Sequence, residues 1–156
     1  MPGMLFHVAF ANMVRNFLLE NKVITINTVI DFYAGNLIPD LAVQKDKAHC
    51  QVTTKVKGIF SPDMRDAKEK YFSLKNPLHM GIYTHLLLDQ IFIEEGLLKW
   101  FEFDSKCMLV SRCDKNCVVT YEQFFGKKGI YGDYTRMNHM LISDNWVTQQ
   151  IIMSIP

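Results

Sequence analysis

Neither sign of charge is in excess in this chain. Across 156 residues, 17 Lys and Arg stand against 16 Asp and Glu, a net charge of +1 at neutral pH. Such a balance leaves no electrostatic footprint for nucleic acid or an anionic membrane, so neither is expected as a partner. Long apolar runs are missing too. With no charge-free stretch of about 18 apolar residues, no transmembrane segment is expected. The opening, MPGMLFHVAFANMVRNFLLEN, lacks a basic leader region and a small-residue cleavage site, and Arg15 interrupts its apolar pattern. We expect the first helix of the fold there, and a cytoplasmic location. Cysteine is sparse: Cys50, Cys107, Cys113 and Cys117 match neither a zinc ribbon nor a redox C-x-x-C. Free thiols are the expectation for a reducing compartment. Internal repeats and low-complexity segments are also absent.

What is present is enough apolar material, 49% of residues, for one domain over 1–156 with a real core. Helical spacing runs through 4–20, with Met4, His7, Ala11, Val14 and Leu18 on one stripe. A second helix is expected over about 25–33, interrupted by AGNLIPDLAV, where Pro39 lacks an N–H and leaves Asp40 just after a turn. Residues 51–60 read as an irregular or extended connection, and Ser61 as the cap of a short charged helix beginning near Pro62. A long central helix is expected from Pro77 to Trp100. Residues 102–119 lack a clear period and read as a loop with a short extended or helical piece. TYEQFF is a candidate helix, GKKGIYGD a breaker, and 134–153 holds one or two closing helices. The sum is an all-α, single-domain multi-helix bundle.

Polar residues on the apolar faces carry the chemistry. In GIYTHLLLDQIF, His85 and Asp89 stand four apart and share a helical face with Leu78, Ile82 and Phe92. A buried, unpaired carboxylate costs several kcal/mol or more, so another side chain, water or a metal ion must satisfy it. His7 also points inward, and His49 lies nine residues beyond Asp40. Imidazole and carboxylate are the donor set of zinc and similar ions, and H-x-x-x-D offers two donors from one rigid helix. Against this, an inward histidine is more often a hydrogen-bonded core residue, and a His/Asp pair can satisfy itself. Near the end, Asp133 shares a face with Ile130 and Met137, whereas His139 reads as exposed. His79 falls on another face of the central helix, with a helix-start role. Lys55, Lys57 and Arg65 could meet a phosphate but read as solvated charge.

MPGMLFHVAFA, AGNLIPDLAV, the isolated His49 and GIYTHLLLDQIF, in that order over residues 1–100, resemble the zinc-dependent phospholipase C family, particularly its short bacterial members. The resemblance implies an α-helical bundle with a metal site between helices, a design shared by related helical nucleases that cleave phosphodiesters. It implies that Asp40, His49, His85 and Asp89 ligate one zinc, and that His7 holds a second ion with a shared contact from Asp89. The secreted lipases complete that second site with a free N-terminal tryptophan; here Met1-Pro2 stands instead. The family's third ion uses a histidine soon after the H-x-x-x-D and a later H-x-x-x-E, neither of which is present, and Asp133 is the best substitute ligand. One to three Zn2+ ions are thus implied. The implied reaction is hydrolysis of a phosphoester or phosphodiester in a small molecule or phospholipid headgroup, with Asp40 also the catalytic base. The alternative is a metal-stabilised, non-catalytic binding or structural domain. A phosphohydrolase of the other helical superfamily would need adjacent His-Asp, which this chain lacks.

Overall fold

A computed structural model describes residues 3–56, 58–106, 108–112 and 115–143. Helix α1 (Met4–Glu20) lies where the apolar stripe places it and buries His7, Ala11 and Leu18, with Met4 left at the rim. A 3-10 turn (Ile26–Thr28), opened by a Thr25–Thr28 capping box, leads into α2 (Val29–Leu41). Here the structure corrects the expected interruption: α2 runs through Pro39, and Asp40 sits in its last turn rather than after one. Proline's fixed φ is helical, so the chain continues through Pro39 to Leu41, although the Gly35 carbonyl loses the N–H that would otherwise donate to it.

A short α3 (Lys45–Ala48) ends on His49, and Cys50 then takes a left-handed conformation, φ 48°, that turns the chain sharply into β1 (Gln51–Thr53). That conformation costs a non-glycine residue about 1–3 kcal/mol, so packing must hold it in place. Strand β1 pairs antiparallel with β2 (Phe60–Pro62), Gln51 opposite Pro62. Ser61 belongs to β2, and the cap of α4 (Met64–Tyr71) is Asp63, which accepts from the Arg65 and Asp66 N–H groups at 2.9 and 3.3 Å.

The central helix follows the expected span. Asn76 caps α5 (Pro77–Ile91) by accepting from the His79 N–H at 3.2 Å, with Pro77 at the first helical position. Beyond Ile91 the helix widens into a π-helical stretch (Phe92–Leu97) and closes as α6 (Leu98–Trp100). Residues expected to form mostly loop instead build an antiparallel sheet of β3 (Phe101–Phe103), β4 (Leu109–Arg112) and β5 (Lys115–Thr120), in that spatial order. The fold is mostly helical, not purely so. Helix α7 (Tyr121–Phe125), with a Thr120–Gln123 capping box, matches TYEQFF, while α8 (Ile130–Ser143) begins inside the expected breaker. The calls on Lys57, Cys107, Cys113 and the chain beyond 143 fall outside the described residues. Among the described residues, no helix is long and apolar enough to cross a membrane.

Three apolar clusters organise the core: Ala11, Leu18, Phe32 and Met80 between α1, α2 and α5; Ala67, Ile82 and Leu86 between α4 and α5; and Ile59, Ile93, Leu97, Val110 and Phe124 against the three-stranded sheet. Helices α2 and α5 cross at glycine on both sides. A Cβ on Gly35 would lie 1.9 Å from the Leu78 carbonyl oxygen, and one on Gly81 would lie 2.0 Å from that of Phe32. Only bare backbone fits such a crossing. Gly35→Ala or Gly81→Ala must therefore push the helices apart. Although alanine is favoured over glycine by about 1 kcal/mol in a helix, each variant should lose about 1–3 kcal/mol by overpacking. Urea unfolding measures the difference, and a gain in stability from either variant would contradict the crossing.

Candidate metal centre

Four elements deliver five donors to one point: His7 from α1, Asp40 from the last turn of α2, His49 from the end of α3, and His85 with Asp89 from successive turns of α5. Helical spacing places the last two together, and the glycine crossing brings α2 within reach of them. His7, His49, His85 and Asp89 are wholly buried, whereas the Asp40 side chain is 17% exposed. Asp89 is the hub. Its Oδ1 lies 3.4 Å from His7 Nε2, and its Oδ2 lies 3.5 Å from His85 Nε2 and 3.7 Å from His49 Nε2. His49 Nε2 is also 3.5 Å from Asp40 Oδ1. The His7 and His85 rings stack in parallel, with centroids 3.6 Å apart and planes within 6°.

Backbone carbonyls set the two central imidazoles. His85 Nδ1 is 2.8 Å from the Asn36 carbonyl oxygen, and His49 Nδ1 is 2.8 Å from that of Lys45. A carbonyl can only accept, so each Nδ1 carries the proton, and in the neutral ring each Nε2 presents a lone pair. Those two Nε2 atoms face each other at 3.2 Å.

Burial and charge pull against each other at Asp89, Asp40, His7 and His49. For Asp89, burial works to raise the pKa, but the contacts with His7 and His85 outweigh it and hold the carboxyl far below the usual carboxylate range. Asp40 follows the same pattern, depressed by the His49 imidazole against the effect of burial. Burial lowers His7, with Asp89 only partly opposing it. His49 is raised, since Asp40 and the Lys45 carbonyl overcome its desolvation. Two carboxylates are thus kept ionised, and His7 is kept neutral, at neutral pH.

The residues fit a divalent ion. His7, Asp40 and His85 form one set of donor atoms within 4.8 Å of one another, and His49, His85 and Asp89 form a second. Both ring nitrogens of His7 and both oxygens of Asp89 are buried without a hydrogen bond. Zinc bonds of about 2.0–2.1 Å at tetrahedral angles leave about 3.3–3.4 Å between ligand atoms. The spacings of 3.2 to 3.7 Å bracket that value.

The sixth candidate ligand stands elsewhere: Asp133 is 56% exposed and pairs with Arg136. The register of α8 turns its neighbour Tyr134 inward instead, where burial and the charges of Tyr131 and Asp89 raise the phenol. Glu94 and Glu95 are exposed; Glu95 pairs with Lys99 at 3.1 Å. His139, Lys55 and Arg65 are exposed, and the His79 ring lies edge-on to Tyr71 near the helix start. Cys50 and Cys117 are free thiols, and burial pushes Cys50 up to about 11. Sequence reasoning missed the two orienting carbonyls, since a backbone acceptor has no residue signature. It also missed the buried Asn12, whose Oδ1 accepts from the Tyr33 hydroxyl.

No family model matches the chain, and no curated protein or solved structure matches it either. What the chain does must therefore be read from this site.

Asp89→Asn tests the hub directly. Removing the charge that three buried imidazoles share should cost about 3–5 kcal/mol of stability and most of the bound metal. Glu95→Gln should leave both within error. Thermal melts and elemental analysis decide, and equal losses in the two variants would displace Asp89 from the centre.

Proposed function

We propose that this chain is a metal-dependent hydrolase of phosphoester or phosphodiester bonds, with zinc the ion its donors suit. The observation that carries the reading is the convergence of His49 Nε2 and His85 Nε2, 3.2 Å apart, on the wholly buried Asp89. Such a grouping is unfavourable until a cation fills it. The resemblance to zinc-dependent phospholipase C, on the blocks that hold these same five donors, supports the choice of reaction. When bound, a divalent ion supplies Lewis acidity, drawing electron density from a phosphoryl oxygen and from water.

The chain's own residues divide the remaining work. His7, His49, His85 and Asp89 are sealed from solvent and hold position. Asp40 alone reaches the surface, so it is the group that can accept a hydrogen bond from an incoming molecule and orient it. Its depressed pKa makes it a weak proton acceptor, so orientation is its stronger role and base catalysis its weaker one. A small phosphoester or the headgroup of a phospholipid is the substrate class of this reading.

A second reading has its own observation. Because four of the five donors are wholly buried, the site resembles closed structural metal sites, and a metal-stabilised binding domain without turnover would look the same. Metal removal separates the two. Chelation should lower Tm under either reading, because ion binding contributes to folded-state stability. Hydrolysis of p-nitrophenyl phosphate or bis-p-nitrophenyl phosphate should return with added Zn2+ only if the site turns over. Asp40→Asn should then reduce the rate by about a hundredfold while leaving most of the Tm. Metal-replete protein inactive on every phosphomonoester and phosphodiester would establish the binding-domain reading, and protein without tightly bound metal would end both.

A further inference from the structure

Asn36 stands at the crossing of α2 and α5, one residue after Gly35, and is wholly buried. Neither its Oδ1 nor its Nδ2 makes a hydrogen bond. Asparagine is a weak helix former, and buried side-chain amides are nearly always paired. Packing alone would favour an apolar residue here, so the amide calls for a polar partner.

His7 has the matching deficit. The other two imidazoles of the centre set their Nδ1 atoms against backbone carbonyls at 2.8 Å, His85 against that of Asn36 itself and His49 against that of Lys45. His7 Nδ1 is buried with no such acceptor. Among the described residues, the buried side-chain oxygens without a partner are Asn36 Oδ1 and the two oxygens of Asp89, and the Asp89 pair faces Nε2 atoms. The acceptor left for His7 Nδ1 is Asn36 Oδ1.

The ring stack brings the two deficits together. His7 and His85 turn their Nε2 atoms to the two oxygens of one carboxylate, at 3.4 and 3.5 Å, and their rings lie parallel with centroids 3.6 Å apart. Asn36 touches His85 directly, so it stands one stacked ring away from His7.

We propose that Asn36 is a positioning residue: its side-chain carbonyl accepts a hydrogen bond from His7 Nδ1–H, directly or across one water, and so keeps the His7 Nε2 lone pair turned toward the donor cluster. One residue then sets both stacked rings, His85 through its backbone and His7 through its side chain. The purpose of this arrangement rests on the metal-centre reading, because a ring that ligates through Nε2 must hold its proton on Nδ1. The tautomer itself is a property of the metal-free protein.

Long-range proton–nitrogen correlation spectra of metal-free, 15N-labelled protein test the assignment. His7 should be Nδ1-protonated, as the carbonyl at 2.8 Å requires of His85. Asn36→Leu removes the side-chain acceptor and leaves the backbone carbonyl, so His7 should shift to the Nε2-protonated form while His85 stays unchanged. Asn36→Val does the same with less volume should the leucine variant misfold, and the native spectrum needs no variant at all. Zn2+ affinity, measured by competition with a chelator, should fall about 10–100-fold in the folded variant, as when an outer-shell partner is lost. A protein that binds no Zn2+ would end the hydrolase reading, and the tautomer would still decide this one. An Nε2-protonated His7 in the native protein, an unchanged His7 tautomer in the folded variant, or an undiminished Zn2+ affinity there would overturn the proposal.

Discussion

An ionised carboxylate without solvent, Asp89, is the constraint on which the helical half of this structure depends. Left alone in a low-dielectric interior, such a charge would cost more than the whole stability of a domain this size. It is tolerable only because imidazoles from α1, α3 and α5 surround it at 3.4 to 3.7 Å. Those imidazoles come from three separate elements, so the charge dictates how the elements must meet. The glycine crossing of α2 and α5 is one part of the solution, since it carries the Asn36 carbonyl to His85.

Orientation is decided one layer further out. Had the two carbonyls been turned away, each imidazole could have donated from Nε2 and formed an ordinary buried hydrogen bond with a carboxylate. With Nδ1 occupied, that exit is closed for a neutral ring, and the two Nε2 atoms converge at 3.2 Å. A core selected only for stability would not retain this arrangement, because well-packed apolar residues of equal volume are usually as stable or more so. Local conflicts of this kind are expected at functional sites, where stability is given up for pre-organisation.

Much of this was legible in the residues. Helix α1, the span from Pro77 to Trp100 and α7 follow from apolar period and capping signals, and His7, His85 and Asp89 from their place on inward faces. Asp40 was found for the wrong local reason: Pro39 reads as a breaker, but its fixed φ is a helical one and α2 runs through it to Leu41. His49 had no periodic context, because a four-residue helix and a left-handed Cys50 place it. The sheet over 101–120 was hidden by its short strands. Alternation over three or four residues cannot be told from chance, and it is pairing between strands that stabilises it. Asp133 failed by one position, since the helix that carries it starts earlier than the glycines suggested and turns Tyr134 inward.

One buried line runs through both halves of the molecule. His85, Asp89, Ile93 and Leu97 stand at intervals of four along α5 and its continuation, and all are buried. In a regular α-helix a four-residue series drifts around the axis by about 40° at each step. Over three steps that drift would carry Leu97 well away from the face that His85 presents. The π-helical stretch from Phe92 to Leu97 widens the turn beyond four residues and so drifts the other way. The two drifts offset each other. One continuous helix therefore presents its polar pair to the cluster and, further along the same line, its apolar pair to the sheet, while Glu94 and Glu95 remain in solvent. A helix of uniform pitch could serve either half, but its buried line would not reach both.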